Sequence, residues 1–575
     1  MFRFSVRPNR AHMVNWREWG EDAFEEARRQ DKLVLLFVTA FWCGFCQRMD
    51  ETALSDDETI ALLNAFFIPI RVEESQRPDV DLRYNQNGWP TIALLIPDGG
   101  HLFTVNYMDT DPFVDLLVKM VTQFQSDKEA LLQSATRPQL ADSQKRDDQQ
   151  QPPLSASLVG EIAGMVEGLG DEENGGYGTH FKFLHTAANE FLLYLFETTG
   201  ETGYLDHVVF TLRKMLQSKT FDSQDGGFFR YSSKPDWNEP HPEKLLEDQA
   251  TLIGNFLHLY ILTGDHSHQK SAEELIGYLN SILLDNSTGA FFGCQDYVSS
   301  EDRVESSPMI SVIDQYVYCD ANARSAVAFL DAWWILGRDD CRGRACQILE
   351  VLWQSLRAPD GGMNHYFDKE PRVPGLLSDA SAAGSAFLKA YSVLHEAKYL
   401  DRAKTIATYI VAMHRSADGG FFDISQKGPA NLQVPVAELP QNAAAASFFV
   451  RLADLSGDTA YREEAVWALK RFPGAHRPFG AFAAEYGQAL ARLLTLPLIV
   501  TVNGLPGSAE VLALTRAATT QLGHGDVVIK FRQSSLDSSD QGAAWATIQM
   551  GDQTLGSISD PAELKPDGIR GLANG

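Results

Sequence analysis

Residues 32–49, KLVLLFVTAFWCGFCQRM, decide the fold at the front of this chain. The continuous apolar run from Leu33 to Ala40 suits a buried strand, and it leads straight into two cysteines two residues apart. Where such a strand meets a helix, the first cysteine stands near the helix N-terminus. There the unpaired N–H groups and the helix dipole favour a thiolate over a thiol, which makes Cys43 the expected nucleophile with a depressed pKa. The spacing brings Cys46 one turn along the helix, buried and placed to resolve a mixed disulfide by attacking Cys43. Three readings of a lone CxxC stand side by side: dithiol redox chemistry, half of a zinc site, and a redox fold whose cysteines no longer turn over. No second CxxC or His pair stands at zinc spacing, so no metal and no cofactor are expected.

Outward from this stretch, residues 15–124 read as one α/β unit. WREWGEDAFEEARRQD has helical periodicity, DDETIALLNAFF is a second helix with Asp56 as its cap, and IPIRVEE is a second strand. TIALLIPDGG and LFTVNYM read as a hairpin, and DPFVDLLVKMVTQF closes the unit as a helix. Gly88-Trp89-Pro90-Thr91 puts a proline just before an apolar strand, where a thioredoxin fold places its cis-proline loop against the cysteines. An ordinary strand-initiating proline is the alternative. The expected division is 1–125 for this domain and 126–157, rich in Gln, Asp, Ser and Pro, for a linker.

From 158 to 496 the chain repeats. Gly-rich turns with aromatics recur as GGYG at 175, GGFF at 226, GAFF at 289, GGMN at 361, GGFF at 419 and FGAF at 479, with starts 51, 63, 72, 58 and 60 residues apart. Each is followed by an apolar helix rich in small residues, and the first five of these by a more charged amphipathic helix. One helix buried all round, paired with one half exposed, describes an inner and an outer ring. Six inner helices then form an (α/α)6 toroid in which no repeat stands without its neighbours. The tail, 497–575, changes character again, with PLIVTVNG and DVVIKF as strands around the helix SAEVLALTRAATTQL and a further strand in AWATIQMGDQTLGSISDPAEL. The fold class is thus multidomain, α/β plus all-α, with a small C-terminal α/β appendage.

Composition sets the outer limits. The 575 residues are 44% apolar and 22% charged, enough for a large core and unlike a disordered chain. Forty-nine basic against 76 acidic side chains give a net charge of −27, a field that repels phosphate backbones and anionic membranes and argues against nucleic acid as partner. No stretch reaches the ~20 apolar residues of a membrane span, and the N-terminus has no secretory h-region, so a soluble, cytoplasmic protein is expected. Six cysteines are too sparse for a disulfide scaffold.

WREWGEDAFEEARRQDK, the CxxC, RPDVDLRYNQNGWPT and GGFFRYSSKPDWNEPHPEKLLEDQATL together resemble the thioredoxin-domain proteins related to spermatogenesis-associated protein 20. The resemblance covers about residues 13–570 and rests on several long motifs in order. It implies a thioredoxin-like domain fused to a six-hairpin toroid of the kind seen in glycosidases and N-acylglucosamine 2-epimerase. The family commonly carries His beside both cysteines, whereas this chain has Gly44, Phe45 and Gln47, which makes metal there less expected. A C-terminal cysteine pair common in the family is absent from TIQMGDQTLGS, which puts a redox relay to the tail in doubt.

The Gly-aromatic turns and the polar starts of the inner helices should collect at one end of the ring as a mouth. Arg230, Tyr231, Trp237, His241, Glu243, Lys244, Asp248 and Gln249 form the densest constellation there, joined from later repeats by Asp296, Asp320, Asn322, Asp379, Gln441 and Asn442. Aromatics with carboxylates, amides and a histidine suit a polyhydroxylated ligand. His241 with Glu243 or Asp248 could move a proton beside a carbonyl, or two carboxylates could act on a glycosidic bond. The plainer readings are helix capping for Asp320, Asp379 and Asn442, and a structural ion network for Arg230, His241 and Glu243. Three functions stay open. The first is a thiol-disulfide oxidoreductase, using Cys43, Cys46 and the Pro90 loop, that meets a protein disulfide or a thioredoxin-system partner. The second is a sugar epimerase or glycoside-active toroid with a passive thioredoxin domain. The third is a non-catalytic scaffold for a saccharide or protein.

Overall fold

The apolar run at 33–39 becomes β1 (Leu33–Thr39), buried at every position because it has neighbours on both sides. It pairs in parallel with β2 (Phe67–Glu73) and antiparallel with β3 (Thr91–Leu95), and β4 (His101–Val105) completes the order β2-β1-β3-β4. Helices α1 (Glu21–Gln30), α2 (Gly44–Glu51), α3 (Asp57–Phe66), α4 (Pro78–Tyr84) and α5 (Thr110–Ser126) accompany this sheet. Asp56 caps α3 as expected, its carboxylate accepting from Thr59 N at 2.9 Å.

The computed structural model describes residues 2–136, 152–299, 309–505, 507–522, 527–533, 544–551 and 553–564. Residues 137–151 of the expected linker lie outside them. Its start is helical, however: Asp127 caps α6 (Lys128–Ser134), which buries Leu131 in the core of the first sheet. The chain divides into two compact units, Met1–Gln150 with Asp296–Val312 and Ile424–Val436, and Gln151–Gln295 with Ile313–Asp423 and Ala437–Gly575.

In the second unit twelve helices follow: α7 (Ala156–Gly168), α8 (Thr186–Thr199), α9 (Thr202–Leu216), α10 (Leu246–Thr263), α11 (His266–Tyr278), α12 (Cys319–Leu336), α13 (Asp339–Gln354), α14 (Leu377–Leu394), α15 (Ala397–Met413), α16 (Leu439–Ser456), α17 (Ala460–Leu469) and α18 (Ala484–Leu494). The even-numbered helices from α8 to α18 each pack on the next, and α18 returns to α8, which closes a ring of six. The odd-numbered helices from α9 to α17 each cover the inner helix before them, while the outer partner of α18 is α7 at the start of the ring. Small residues let the inner helices approach: a Cβ added to Gly384 would fall 2.6 Å from Phe448.

The recurring turns have a physical reason for their glycines. Gly226 and Gly227 take φ of 81° and 79°, the left-handed region that L side chains avoid. The turns at 226, 289 and 419 are each gripped by an amide from the next inner helix. Gln249 accepts from Phe228 N and donates to Phe228 O, and Asn322 and Asn442 grip Phe291 and Phe421 in the same two-bond way. The turns at 175 and 226 share a buried lysine as well. Lys182 Nζ bonds Asp171 and Gly175 O, and Lys244 Nζ bonds Asp222 and Gly226 O.

The tail forms β5 (Leu498–Gly504), α19 (Ala509–Gln521), β6 (Val527–Gln533), β7 (Trp545–Met550) and β8 (Gln553–Ile558). Its order is β6-β5-β7-β8, with β5 parallel to β6 and antiparallel to β7, and β7 antiparallel to β8. That is the topology of the first sheet. This second sheet docks at the C-terminal ends of inner helices: Trp334 Nε1 donates to Thr519 Oγ1, Arg516 Nε donates to Trp334 O, and His395 stacks on Phe531 at 4.6 Å. No helix among the described residues is long and apolar enough to cross a membrane.

Candidate functional site

Two groups of side chains are candidates for a site, one in each unit. In the first, Cys43 and Cys46 form a disulfide. Cys43 is the N-cap of α2, its sulfur accepting from Cys46 N at 3.1 Å, so the pair sits where β1 delivers the chain to a helix N-terminus. The Trp89–Pro90 bond is cis, immediately before β3. Asn106 Nδ2 ties this loop down by donating to Gly88 O and Pro90 O. Trp89 meets Trp42 edge to face at 5.0 Å and donates from Nε1 to Asp81 Oδ1 at 2.8 Å. Burial holds the Asp81 carboxyl above its usual range, against the bonds from Asn85 and Trp89. Behind the site Asp50, on α2, makes a buried two-pronged ion pair with Arg71 of β2 at 2.8 and 2.9 Å.

In the second unit, His241 Nδ1 lies 2.6 Å from Glu243 Oε2, and Glu243, fully buried, also meets Arg230 at 3.4 Å. A buried carboxylate on Nδ1 fixes the ring and leaves its other nitrogen for work elsewhere. Tyr231 stacks on His241 at 4.8 Å and on Phe183 at 5.1 Å, giving a short ladder of rings.

Carboxyls from the first turns of the inner helices converge beside this dyad. Solvent reaches Glu247, yet desolvation by the surrounding protein, and then the charge of Asp320, raise its pKa. Desolvation, followed by the Glu247 charge, pushes Asp248 up to about 8. Glu485 on α18 is raised by burial, eased by Arg324, whose Nε is buried with no partner. On the neighbouring strand Asn364–Asp368, His365 Nδ1 contacts both oxygens of Asp379 at 3.1 and 3.0 Å.

The remaining expected residues fall in several places. Arg230, Tyr231, His241, Glu243, Asp248, Asp320 and Asp379 gather at the starts of the inner helices. Lys244, Gln249, Asn322 and Asn442 are engaged by the turns, as described. Trp237 is fully buried, bonded to Asn174 O and packed on Gly176. Gln441 lies in the first turn of α16 with its amide oxygen buried and unpartnered, and Asp296 groups with the first unit. The capping expectation is corrected: α12, α14 and α16 start earlier, with Tyr318, Leu376 and Glu438 at their N-caps, so Asp320, Asp379 and Asn442 stand inside the first turn.

Glu247, Arg324, His365 and Glu485 were not singled out from the sequence. A repeat-register signal exists for one: the residue four after the first turn glycine is Arg230 after Gly226 and His365 after Gly361, both pointing polar chemistry at the same end of the ring.

Residues 5–141 match the family Thioredox_DsbH, described as a protein of unknown function, DUF255. Human spermatogenesis-associated protein 20 is 28% identical over 312 residues, covering 50% of this chain and 40% of the human protein, and the mouse protein is 28% identical with 39% covered. The chain thus spans about two fifths of the length of these curated relatives. Among solved structures, cellobiose 2-epimerase from Bacillus thermoamylovorans B4167 has a TM-score of 0.47 at 14% identity, covering 55% of this chain and 87% of that one. A D-mannose isomerase has a TM-score of 0.48 at 13% identity, covering 59% and 98%. With the matched N-terminal domain and these relatives, the chain resembles the thioredoxin-domain proteins related to spermatogenesis-associated protein 20, as its motifs indicated.

Proposed function

We propose that the thioredoxin-like domain is a thiol-disulfide oxidoreductase acting through Cys43 and Cys46, and that the toroid recruits its partner or ligand. The carrying observation is a disulfide at the N-cap of α2 beside the Pro90 loop. In the reducing direction the Cys43 thiolate attacks one sulfur of a partner disulfide, whose second sulfur leaves as a thiolate and takes up a proton. The Cys46 thiolate then attacks Cys43, closing the internal disulfide and releasing the partner as a dithiol: two electrons pass to the partner, and an external dithiol returns them. A cytoplasmic, reducing setting fits this cycle. The working division is residues 1–125 for exchange, 126–157 as connection, 158–496 for the toroid and 497–575 for the appendage. In the test, the reduced chain reduces a model protein disulfide, Cys43→Ser does not, and Cys46→Ser accumulates a mixed disulfide. Equal turnover by Cys43→Ser would refute the reading.

A second reading has its own support: the Glu243-held imidazole, the ring ladder and the raised carboxyls Glu247 and Asp248 suit a polyhydroxylated ligand at the mouth. There His241 would move a proton at Nε2, with a protonated Asp248 as acid and Arg230, Tyr231 and Gln441 as contacts. Turnover of a sugar substrate would be lost in His241→Ala and untouched by Cys43→Ser. Saccharide-induced thermal stabilisation without turnover would instead mark a binding scaffold.

A further inference from the structure

The carboxylates at the mouth have a feature that neither reading uses. Asp320 in the first turn of α12, His365 on the strand Asn364–Asp368 and Asp379 in the first turn of α14 come from three separate elements. One donor atom from each lies within 4.8 Å of the others. In a tetrahedral site with bonds near 2.1 Å, ligand atoms stand about 3.4 Å apart, so the most distant pair would have to close by up to about 1.4 Å to share one ion. His365 and Asp379 are buried and Asp320 is partly so.

Charge balance points the same way. Asp379 is fully buried and its one ion-pair partner is the His365 ring; among the described residues neither Asp320 nor Asp379 has a Lys or Arg in salt-bridge contact. The Arg324 guanidinium is shared electrostatically among Glu485, Glu247, Asp320 and Asp248, and Arg230 is engaged by Glu243. A buried carboxylate that keeps its charge is held by a paired cation or a metal, and a bound cation would supply the counter-charge that no Lys or Arg among the described residues gives Asp320 and Asp379. The pieces are also held in place: His365 contacts both Asp379 oxygens, and the Cys319 thiol points at Asp379 O.

We propose that Asp320, His365 and Asp379 bind a divalent transition-metal ion, with Zn2+ or Mn2+ as the best-suited class. Two carboxylate oxygens and one imidazole nitrogen match the donor preference of these ions, and three protein ligands leave a position open to water or to a ligand at the mouth.

The test uses the full chain carrying Cys43→Ser and Cys46→Ser, which removes the CxxC thiols as a rival metal site and makes the result independent of the redox reading. After chelator treatment it is titrated with Zn2+ and, separately, Mn2+ by calorimetry, with thermal melts in parallel. The expected result is one ion per chain and a raised Tm. Asp320→Asn, a near-isosteric change at a partly exposed position, is expected to weaken affinity at least about tenfold and abolish the Tm shift. His365→Gln should do the same, and if it fails to fold, Asp320→Asn still decides. No saturable binding of either ion, or binding unchanged by Asp320→Asn, overturns the site and leaves His365–Asp379 as a structural pair.

Discussion

The two four-stranded sheets of this chain share one topology and differ at each position that matters for redox chemistry. In the first, β1 runs into α2, whose N-cap is Cys43 with its sulfur accepting from Cys46 N. In the second, β5 runs into α19, whose N-cap is Ser508 with its hydroxyl accepting from Val511 N at 3.3 Å. CxxC and SxxV therefore occupy the same corner. Pro90 precedes β3, and Ala544 precedes β7. A Cβ on Gly504 would meet Val511 at 2.6 Å and Ala544 at 3.2 Å, so the residues standing where Cys46 and Pro90 stand are packed side by side as plain core. Seven residues past each N-cap the contrast repeats. Asp50 grips Arg71, whereas the buried Thr515 bonds its own helix at Val511 O. The register that sets Phe37 opposite Arg71 sets Val502 opposite Phe531, and Phe531 faces His395 at the ring. One sheet carries a disulfide at this corner, and the other uses the same topology to dock on the inner helices.

The sharpest way to break this contrast is at the two N-caps. Cys43→Ser should drop disulfide exchange to background, because no other cysteine stands at Cys43's distance from Cys46. Ser508→Ala should leave exchange unchanged and cost only about 1 kcal/mol of stability through the lost cap, read by denaturant unfolding. Exchange that survives Cys43→Ser would mean the first corner is as inert as the second.

Next in size is the polar pair behind the first corner. Asp50→Asn leaves the Arg71 guanidinium buried without its counter-charge, and the domain should lose about 3–5 kcal/mol. Replacing the pair with the residues of the second sheet, Asp50→Thr with Arg71→Phe, should recover much of that loss. If single and double variants unfold alike, the two sheets are not interchangeable at this layer.

A graft tests the equivalence of the corners directly. Ser508→Cys with Val511→Cys should form a disulfide on oxidation, since Cys43 and Cys46 do so at an α-carbon separation of 5.2 Å across the same cap geometry. Shrinking the buried Val511 should cost about 1 kcal/mol in the reduced form. Thiol counting under oxidant reads the outcome, and two persistently free thiols would show that the corners differ in backbone as well as in side chains.

The first corner was legible because its signals are local: a buried strand, a cap position and a proline at fixed distances. The ring was legible because glycine turns with positive φ recur in register. Its closure by α7 was not, since the partner of the last inner helix lies more than 300 residues away at the other end of the repeat. The matching topology of the tail was hidden for the same reason, strand order being a non-local property. At the mouth, sequence could not separate first-turn residues facing the recess from those turned to the glycine loops. Gln249 and Asp248 are adjacent in the chain, yet one amide clamps Phe228 while the neighbouring carboxyl titrates in the recess.

The smallest effect concerns Asp81, which anchors Trp89 beside Pro90 in the first sheet. Burial raises its carboxyl above 3.8, so the folded state holds this proton more tightly than the unfolded state. For a group raised in this sense, stability falls as pH rises from the unfolded pKa through the folded one, and is level above it. Asp81→Asn keeps an oxygen for Trp89 Nε1 and removes the titration. The variant should therefore unfold within about 1 kcal/mol of the parent at pH 7 while losing part of the parent's gain on acidification toward pH 4. The readout is the parent-minus-variant difference at the two pH values, which cancels carboxylates common to both. An unchanged difference would place the proton elsewhere, and Asp81 would then serve the Pro90 loop through its hydrogen bonds alone.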